Sequence, residues 1–206
     1  NGWNVQVFDP DPQAERKIGE VMANARRSMP GLTDVALPDE GAISFHDSIS
    51  DAVQGASWIQ ESVPERLEIK HTTFGAIQQA CDPDAVIGSS TSGFKPSELQ
   101  DGMARPDQIM VAHPFNPVYL LPLVELVPGN GIDGPIVDKA KETLTSIGMY
   151  PLHLKKEIDA HVADRFLEAV WREALWLVKD GIATTESAGR RWVCLKPTAS
   201  QAAKQA

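Results

Sequence analysis

The sequence has few of the residues that mark several classes of protein. Only two cysteines, Cys81 and Cys194, occur among 206 residues, so a disulfide framework is excluded and a reducing compartment is expected. Lys and Arg number 19 against 28 Asp and Glu, for a formal charge of -9, which argues against nucleic-acid and anionic membrane partners. No apolar run approaches the roughly 18 residues of a membrane span, and no charged-then-apolar leader opens the chain. A cytoplasmic protein is therefore expected.

Short apolar runs alternate with longer segments that have helical spacing. The runs predicted as buried strands are "NVQVFD" (4–9), "AISFH" (42–46), "ASWIQES" (56–62), "AVIGSS" (85–90), "QIMVAH" (108–113), "LPLVELV" (121–127) and "MYPLHLK" (149–155). The helical segments open at Asp11 with Pro12, at Pro64 and at "GPIVDKAKETLTSIG". Alternation of strand and helix predicts an α/β fold with a doubly wound, mainly parallel, Rossmann-type sheet over residues 1–156.

The rest of the chain, residues 157–206, is predicted to start an all-helical second domain. The segment "EIDAHVADRFLEAVWREALWLVKD" (157–180) has its apolar residues near one helical stripe, and Gly181 is a plausible stop. Thr184 or Thr185 suits the cap of a further helix. The tail "SAGRRWVCLKPTASQAAKQA" has little periodicity, so we expect it to be weakly ordered.

Asp9 closes the first predicted strand, and ligands of open parallel sheets bind at the carboxyl ends of strands. An acid that ends the second strand of a dinucleotide-binding domain accepts hydrogen bonds from the adenosine ribose, and its charge disfavours a 2′-phosphate, so NAD is favoured over NADP. The alternative is that Asp9 caps the next helix, although Asp11 before Pro12 suits that role better. The Gly-rich phosphate loop, about 20 residues before such an acid, is expected upstream of Asn1.

The strand order of a doubly wound sheet gives a related expectation. With the first strand upstream, "NVQVFD" and "AVIGSS" should each lose a neighbouring strand. Because buried unpaired backbone groups cost about 1 to 3 kcal/mol each, we expect residues 1–206 alone to bind NAD weakly and to associate through open strand edges.

Four hydroxyl residues follow one predicted strand in "GSSTSG": Ser89, Ser90, Thr91 and Ser92. At the carboxyl end of a parallel strand they face the same crevice as Asp9, where a hydroxyl can hold a substrate oxygen. An ordinary serine-rich helix start is the alternative.

A histidine and a glutamate have unusual places in "VAHPFNPVYLLPLVELVPG". His113 ends a strand-like run, and Glu125 lies inside the next apolar run. Prolines between them break the backbone, so the two strands can return past each other and bring the carboxylate to the imidazole. Such a pair orients the ring and stabilises the imidazolium that forms when the histidine takes a proton. A core histidine and a solvent-facing glutamate on an edge strand are an equal alternative on spacing alone.

The segments "HPFNP", "PLVELV", "STSG" and "VFDPDP" together resemble the 3-hydroxyacyl-CoA dehydrogenase superfamily, over about residues 2 to 186. The resemblance implies an NAD-dependent oxidoreductase. It implies that the catalytic His/Glu pair falls on His113 and Glu125. The family's substrate-binding serine, which we also expect at the cofactor and at the reacting oxygen, falls on Ser92.

The same resemblance implies cofactor contacts at Glu65 and Lys70 in "ESVPERLEIK", and the ribose-binding acid at Asp9. Two departures stand out. The acyl-CoA enzymes have Asn-Thr-Ser-Ser where this chain has "STSG", and an asparagine on the long helix where this chain has Asp164. Asp164 is therefore a candidate substrate residue, and the departures imply a substrate other than an acyl-CoA.

Within the superfamily, "HPFNPVYLLPLVELVPG" and "HVADRFLEAVWREALWLVKDGIATTE" are most similar to the branch that oxidises L-carnitine to 3-dehydrocarnitine. A quaternary ammonium needs an aromatic wall, worth roughly 0.5 to 2 kcal/mol, for which Phe115, Tyr119 and Trp171 are candidates, with Asn116 as a polar substrate contact. Oxidation of L-gulonate or a short 3-hydroxyacyl-CoA, and a non-catalytic role like that of lambda-crystallin, are the alternatives. The resemblance implies a small hydroxy-acid substrate and a homodimer at full length, with no metal.

Overall fold

Strands and helices alternate along the chain, as the sequence predicts. The structure is a computed structural model, and it describes residues 2–32, 34, 36–129 and 133–188. The strands are β1 (Val5–Val7), β2 (Ile43–Phe45), β3 (Trp58–Glu61), β4 (Val86–Ser89), β5 (Ile109–Pro114), β6 (Leu123–Val127) and β7 (Tyr150–His153). The helices are α1 (Ala14–Ser28), α2 (Ile49–Val53), α3 (Leu67–Ala80), α4 (Pro96–Gln100), α5 (Pro135–Ser146) and α6 (Ala163–Lys179), with 3-10 turns at Met29–Gly31 and Pro106–Gln108.

The strands form a larger and a smaller sheet. The larger has the order β3-β4-β5-β6-β7, with β5 and β6 antiparallel and the other neighbours parallel. The smaller is the parallel pair β1-β2. Parallel neighbours need a crossover connection, which α3 supplies between β3 and β4, and α5 between β6 and β7. The predicted α/β class with a mainly parallel sheet is confirmed.

One expectation about strand pairing is wrong. The segment "AVIGSS" was expected to lack a neighbour, but its strand β4 is paired with β3 on one side and β5 on the other. Among the described residues it is β3 that ends the larger sheet, and β1 is bonded to β2 alone. The expectation treats β4 as the fourth strand of a doubly wound sheet. If β1 corresponds to the second strand of that order, β3 corresponds to the fourth strand and β4 to the fifth, which has a neighbour on each side.

The core of the larger sheet lies beneath α5. Buried residues of the central strands pack with one face of that helix: Val86, Met110, Ala112, Val124, Leu126, Val137, Ala140 and Leu144. Gly88 in β4 has no room for a side chain, because an added Cβ would lie 2.8 Å from Ala112 Cβ and 3.0 Å from Gln60 Oε1. The absence of a side chain at Gly88 lets Gln60 reach across β4 and donate to the Ala112 carbonyl oxygen at 3.0 Å.

Helix boundaries differ from the predicted ones where several start signals compete. α3 begins at Leu67 rather than at Pro64, and α6 begins at Ala163 rather than near Glu157. The five-residue helices α2 and α4 were not predicted, because five residues are too few to set up a helical period.

The described chain divides into two compact units, with the boundary between Asp159 and Ala160. In the second, α6 ends at Lys179 and Gly181 has φ of +70°, which is the left-handed conformation that favours glycine after a helix. Thr184 caps a following helical turn, because Ser187 N donates to its Oγ1 at 3.1 Å. The expectation of a weakly ordered tail concerns residues 187–206, of which 189–206 lie outside the described residues. No helix in the described ranges is long and apolar enough to cross a membrane.

Candidate active site

The antiparallel pairing of β5 and β6 brings the histidine and glutamate together. Their register sets His113 directly opposite Glu125, and opposite residues of neighbouring strands project their side chains from the same face. His113 Nδ1 lies 3.3 Å from Glu125 Oε2. Glu125 is 0% exposed and His113 is 7% exposed, so the alternative of a solvent-facing glutamate is excluded.

Ser92 completes a line of three polar side chains. Its Oγ lies 3.0 Å from His113 Nε2, so both ring nitrogens are engaged. With the ring proton on Nδ1, the imidazole donates to Glu125 and its Nε2 accepts from the Ser92 hydroxyl, which is the tautomer that a general base needs. Ser92 is exposed, so a substrate can reach this end of the line.

The four hydroxyl residues that follow β4 divide between two environments. Ser89 and Thr91 are 0% and 1% exposed, and their hydroxyls donate to buried or half-buried carboxylates. Ser90 bonds to Gln60 Nε2 at 2.8 Å. Ser92 is therefore the member of this group that contacts the histidine. The helix-start alternative does not apply, because α4 begins only at Pro96.

Glu65 and Lys70 belong to an ion-pair network that also includes Glu61. Lys70 is 1% exposed, and its Nζ lies 3.0 Å from Glu61 Oε1 and 3.3 Å from Glu65 Oε2. Glu61 also accepts from the Ser89 hydroxyl at 2.5 Å and from Val63 N at 2.7 Å. The sequence does not single out Glu61, although it ends β3 on the same face of the strand as the buried Ile59, where a carboxylate needs a buried partner.

Glu65 sits on the accessible side of that network, with 46% of its side chain exposed. Its Oε1 accepts from Thr91 Oγ1 at 2.5 Å and from Gly93 N at 3.0 Å. Partial burial acts to raise the pKa of Glu65, but the hydrogen bonds from Thr91 and Gly93 and the positive charge of Lys70 outweigh it and hold the pKa below its ordinary value. Glu65 is therefore held as a carboxylate at neutral pH.

Asp9 lies two residues after the end of β1 and is exposed. Its Oδ1 accepts from Asp11 N at 2.8 Å, while Asp11 Oδ1 accepts from Gln13 N at 2.9 Å at the start of α1. Asp9 thus does not cap α1. An exposed carboxylate at the carboxyl end of a parallel strand fits the ribose of a dinucleotide.

The candidate substrate residues lie in two parts of the chain. Phe115 packs edge-on against His113, with ring centroids 4.8 Å apart. In the same connection between β5 and β6, Tyr119 is half-buried and Asn116 is exposed. Asp164 and Trp171 lie on α6, in the second compact unit, and their roles stay predictions.

A mainly parallel α/β fold, with an acid after a strand of the smaller sheet and a serine, histidine and glutamate in line at the larger one, is typical of the dinucleotide-binding domains of dehydrogenases. Residues 1–158 match the family described as 3-hydroxyacyl-CoA dehydrogenase, NAD binding domain, and the chain belongs to that family. NAD is the cofactor that this match assigns.

Similar proteins agree with this class. The chain is 68% identical over 186 residues to an L-carnitine dehydrogenase/betainyl-CoA thioesterase of Ruegeria pomeroyi, covering 90% of this chain and 38% of that protein. It is 52% identical over 187 residues to an L-carnitine dehydrogenase of Mesorhizobium japonicum, covering 90% and 51%. A solved structure of an NAD+-dependent dismutase, 5-formyl-3-hydroxy-2-methylpyridine 4-carboxylic acid 5-dehydrogenase, superposes with a TM-score of 0.82 at 31% identity over 91% of this chain and 61% of that one. The chain thus spans about two fifths of the first of these curated relatives and about half of the second.

Proposed function

We propose that this chain is the cofactor-binding part of an NAD-dependent dehydrogenase that oxidises the 3-hydroxyl of L-carnitine. The observation that carries the proposal is the line of Ser92, His113 and Glu125, with contacts of 3.0 and 3.3 Å. The relatives named L-carnitine dehydrogenase support the choice of substrate.

The three side chains have separate roles in the proposed reaction. His113 Nε2 accepts the proton of the substrate hydroxyl while the carbon–oxygen double bond forms. Glu125 stabilises the positive ring that results, and the Ser92 hydroxyl donates to the reacting oxygen. NAD, when bound, supplies the acceptor for the hydride that leaves carbon 3.

The cofactor contacts are assigned from the resemblance and supported by exposure. Asp9 is proposed to accept from the adenosine ribose, and Glu65, which is half exposed, to lie at the cofactor with Ser92. Lys70 is buried and forms ion pairs with Glu61 and Glu65. We therefore expect Lys70 to contribute to cofactor binding indirectly, by holding Glu65 in place.

The substrate wall is proposed to include Phe115 and Tyr119, because an aromatic face attracts a quaternary ammonium and Phe115 already contacts His113. Asn116 and Asp164 are proposed as polar substrate contacts. Trp171 of the helical unit stays a candidate for an aromatic contact with the substrate in the full-length protein.

We also propose that the full-length protein is a cytoplasmic homodimer. The support for a dimer is a set of large apolar side chains on α6 that are exposed in the described residues: Phe166 is 69% exposed, Trp171 55% and Leu175 54%. Exposed apolar side chains of this size favour a helix that is covered by a second subunit. Light scattering on the full-length protein tests the dimer, and a monomeric mass would contradict it.

The test of the function is NADH production by the full-length protein with L-carnitine, L-gulonate and 3-hydroxybutyryl-CoA. We expect L-carnitine to have the largest kcat/KM. Preference for another substrate would replace the assigned one, and NAD binding without turnover of any would favour a non-catalytic relative.

A further inference from the structure

The turn that carries Ser92 is hydrogen-bonded to the carboxylate of Glu65. Glu65 Oε1 accepts from Thr91 Oγ1 at 2.5 Å and from Gly93 N at 3.0 Å. These donors belong to the residues on either side of Ser92. The Glu65 carboxylate lies close to the backbone of this turn, because a Cβ added to Gly93 would lie 3.3 Å from Glu65 Oε1.

The Thr91 hydroxyl also organises the turn from within. It accepts from Phe94 N at 3.0 Å and from Gly93 N at 3.3 Å, while it donates to Glu65. Thr91 is 1% exposed, so its side chain is buried away from a substrate or cofactor. Any effect of Thr91 on the reaction must pass through its neighbours.

The orientation of Glu65 is set in turn by the buried pair of Lys70 and Glu61. Lys70 Nζ is shared between the two carboxylates, and both Lys70 and Glu61 are fully or almost fully buried. A charge in such a place is retained only with partners that satisfy it. The network therefore gives Glu65 one preferred position above the turn.

We propose that Glu65 and Thr91 are positioning residues that hold the Ser92 hydroxyl against His113 Nε2. The expected effect on catalysis rests on the proposed function of Ser92 and His113, whereas the expected position of the Ser92 hydroxyl does not depend on that function. Ser92 is exposed, and its contact with His113 depends on the turn that Thr91 and Glu65 brace.

The test uses Thr91→Val in the full-length protein, because valine has nearly the shape of threonine and lacks the hydroxyl. We expect kcat to fall about tenfold, the effect of one lost hydrogen bond, with NAD affinity unchanged. Thr91→Ser should restore most of the rate. Thr145→Val, at an exposed site of α5, is the matched control.

A double-mutant cycle identifies the route of the effect. In a Ser92→Ala background, Thr91→Val should cause no further loss of kcat, because the hydroxyl that it positions is gone. Equal losses in both backgrounds would overturn the proposal and assign Thr91 a general structural role.

A second readout does not depend on turnover. With 15N-labelled histidine, Thr91→Val and Ser92→Ala should move the Nε2 signal of His113 in the same direction, whereas Thr145→Val should not move it. If Thr91→Val does not fold, Glu65→Ala, at a half-exposed position, should give the same shift. An unmoved signal refutes the positioning role, whereas a moved signal in a protein that oxidises none of the substrates refutes only the proposed function.

Discussion

Replacement of Glu125 by glutamine is the most direct test of the histidine–glutamate pair. The change keeps the size of a side chain that is 0% exposed and removes only its charge. At the observed 3.3 Å between His113 Nδ1 and Glu125 Oε2, Coulomb's law with an effective dielectric constant of about 20 gives about 5 kcal/mol between carboxylate and imidazolium. Because glutamine retains a neutral hydrogen bond, only part of this energy is lost. We expect kcat to fall by about two to three orders of magnitude.

The assay is NADH formation by the full-length protein with L-carnitine, with NAD affinity measured by calorimetry. Glu125 lies beside the base rather than at the ribose, so we expect NAD binding to change by less than about threefold. Glu142→Gln, the same change at an exposed site of α5, controls for the substitution itself. If kcat of Glu125→Gln stays within about threefold of the wild-type value, Glu125 does not stabilise the His113 imidazolium, and the assignment is refuted.

Three further outcomes are expected. Asp9→Ser should reduce the ratio of kcat/KM with NAD to kcat/KM with NADP, because the negative charge that repels the 2′-phosphate of NADP is gone. Equal kcat/KM for the two cofactors in the unmodified protein would show that Asp9 is not at the ribose. Gly88→Ala should lower the free energy of unfolding by about 1 to 3 kcal/mol in a urea titration, because the added Cβ would lie 2.8 Å from Ala112 Cβ; an unchanged midpoint would contradict this packing. The pKa of Glu65 is lowered in the folded state, so its stabilisation is present above about pH 4.3 and is lost as the pH falls through the folded-state pKa. Glu65→Gln should therefore lose less stability than wild type between neutral and acid pH, and parallel curves would contradict the shift.

The sequence by itself determined the elements and much of the chemistry. Short apolar or alternating runs predicted the position of every strand of the described chain. The prediction that all of them are buried is wrong for β1 and β2, whose residues are exposed or half-exposed. His113 and Glu125 were recognisable as candidates since ionisable groups in apolar runs need partners. Helices of five residues were missed, because periodicity needs more residues to be seen.

Tertiary structure decided which of the candidate groups meet. Spacing left a solvent-facing Glu125 as an equal alternative, and only the β5–β6 register set it opposite His113. The sequence likewise does not show where each hydroxyl after β4 points, whereas in the structure Thr91 donates to Glu65 and Ser92 contacts His113. Register, pairing order and the partners of a buried carboxylate join residues far apart in sequence, so they arise only when the strands pack together.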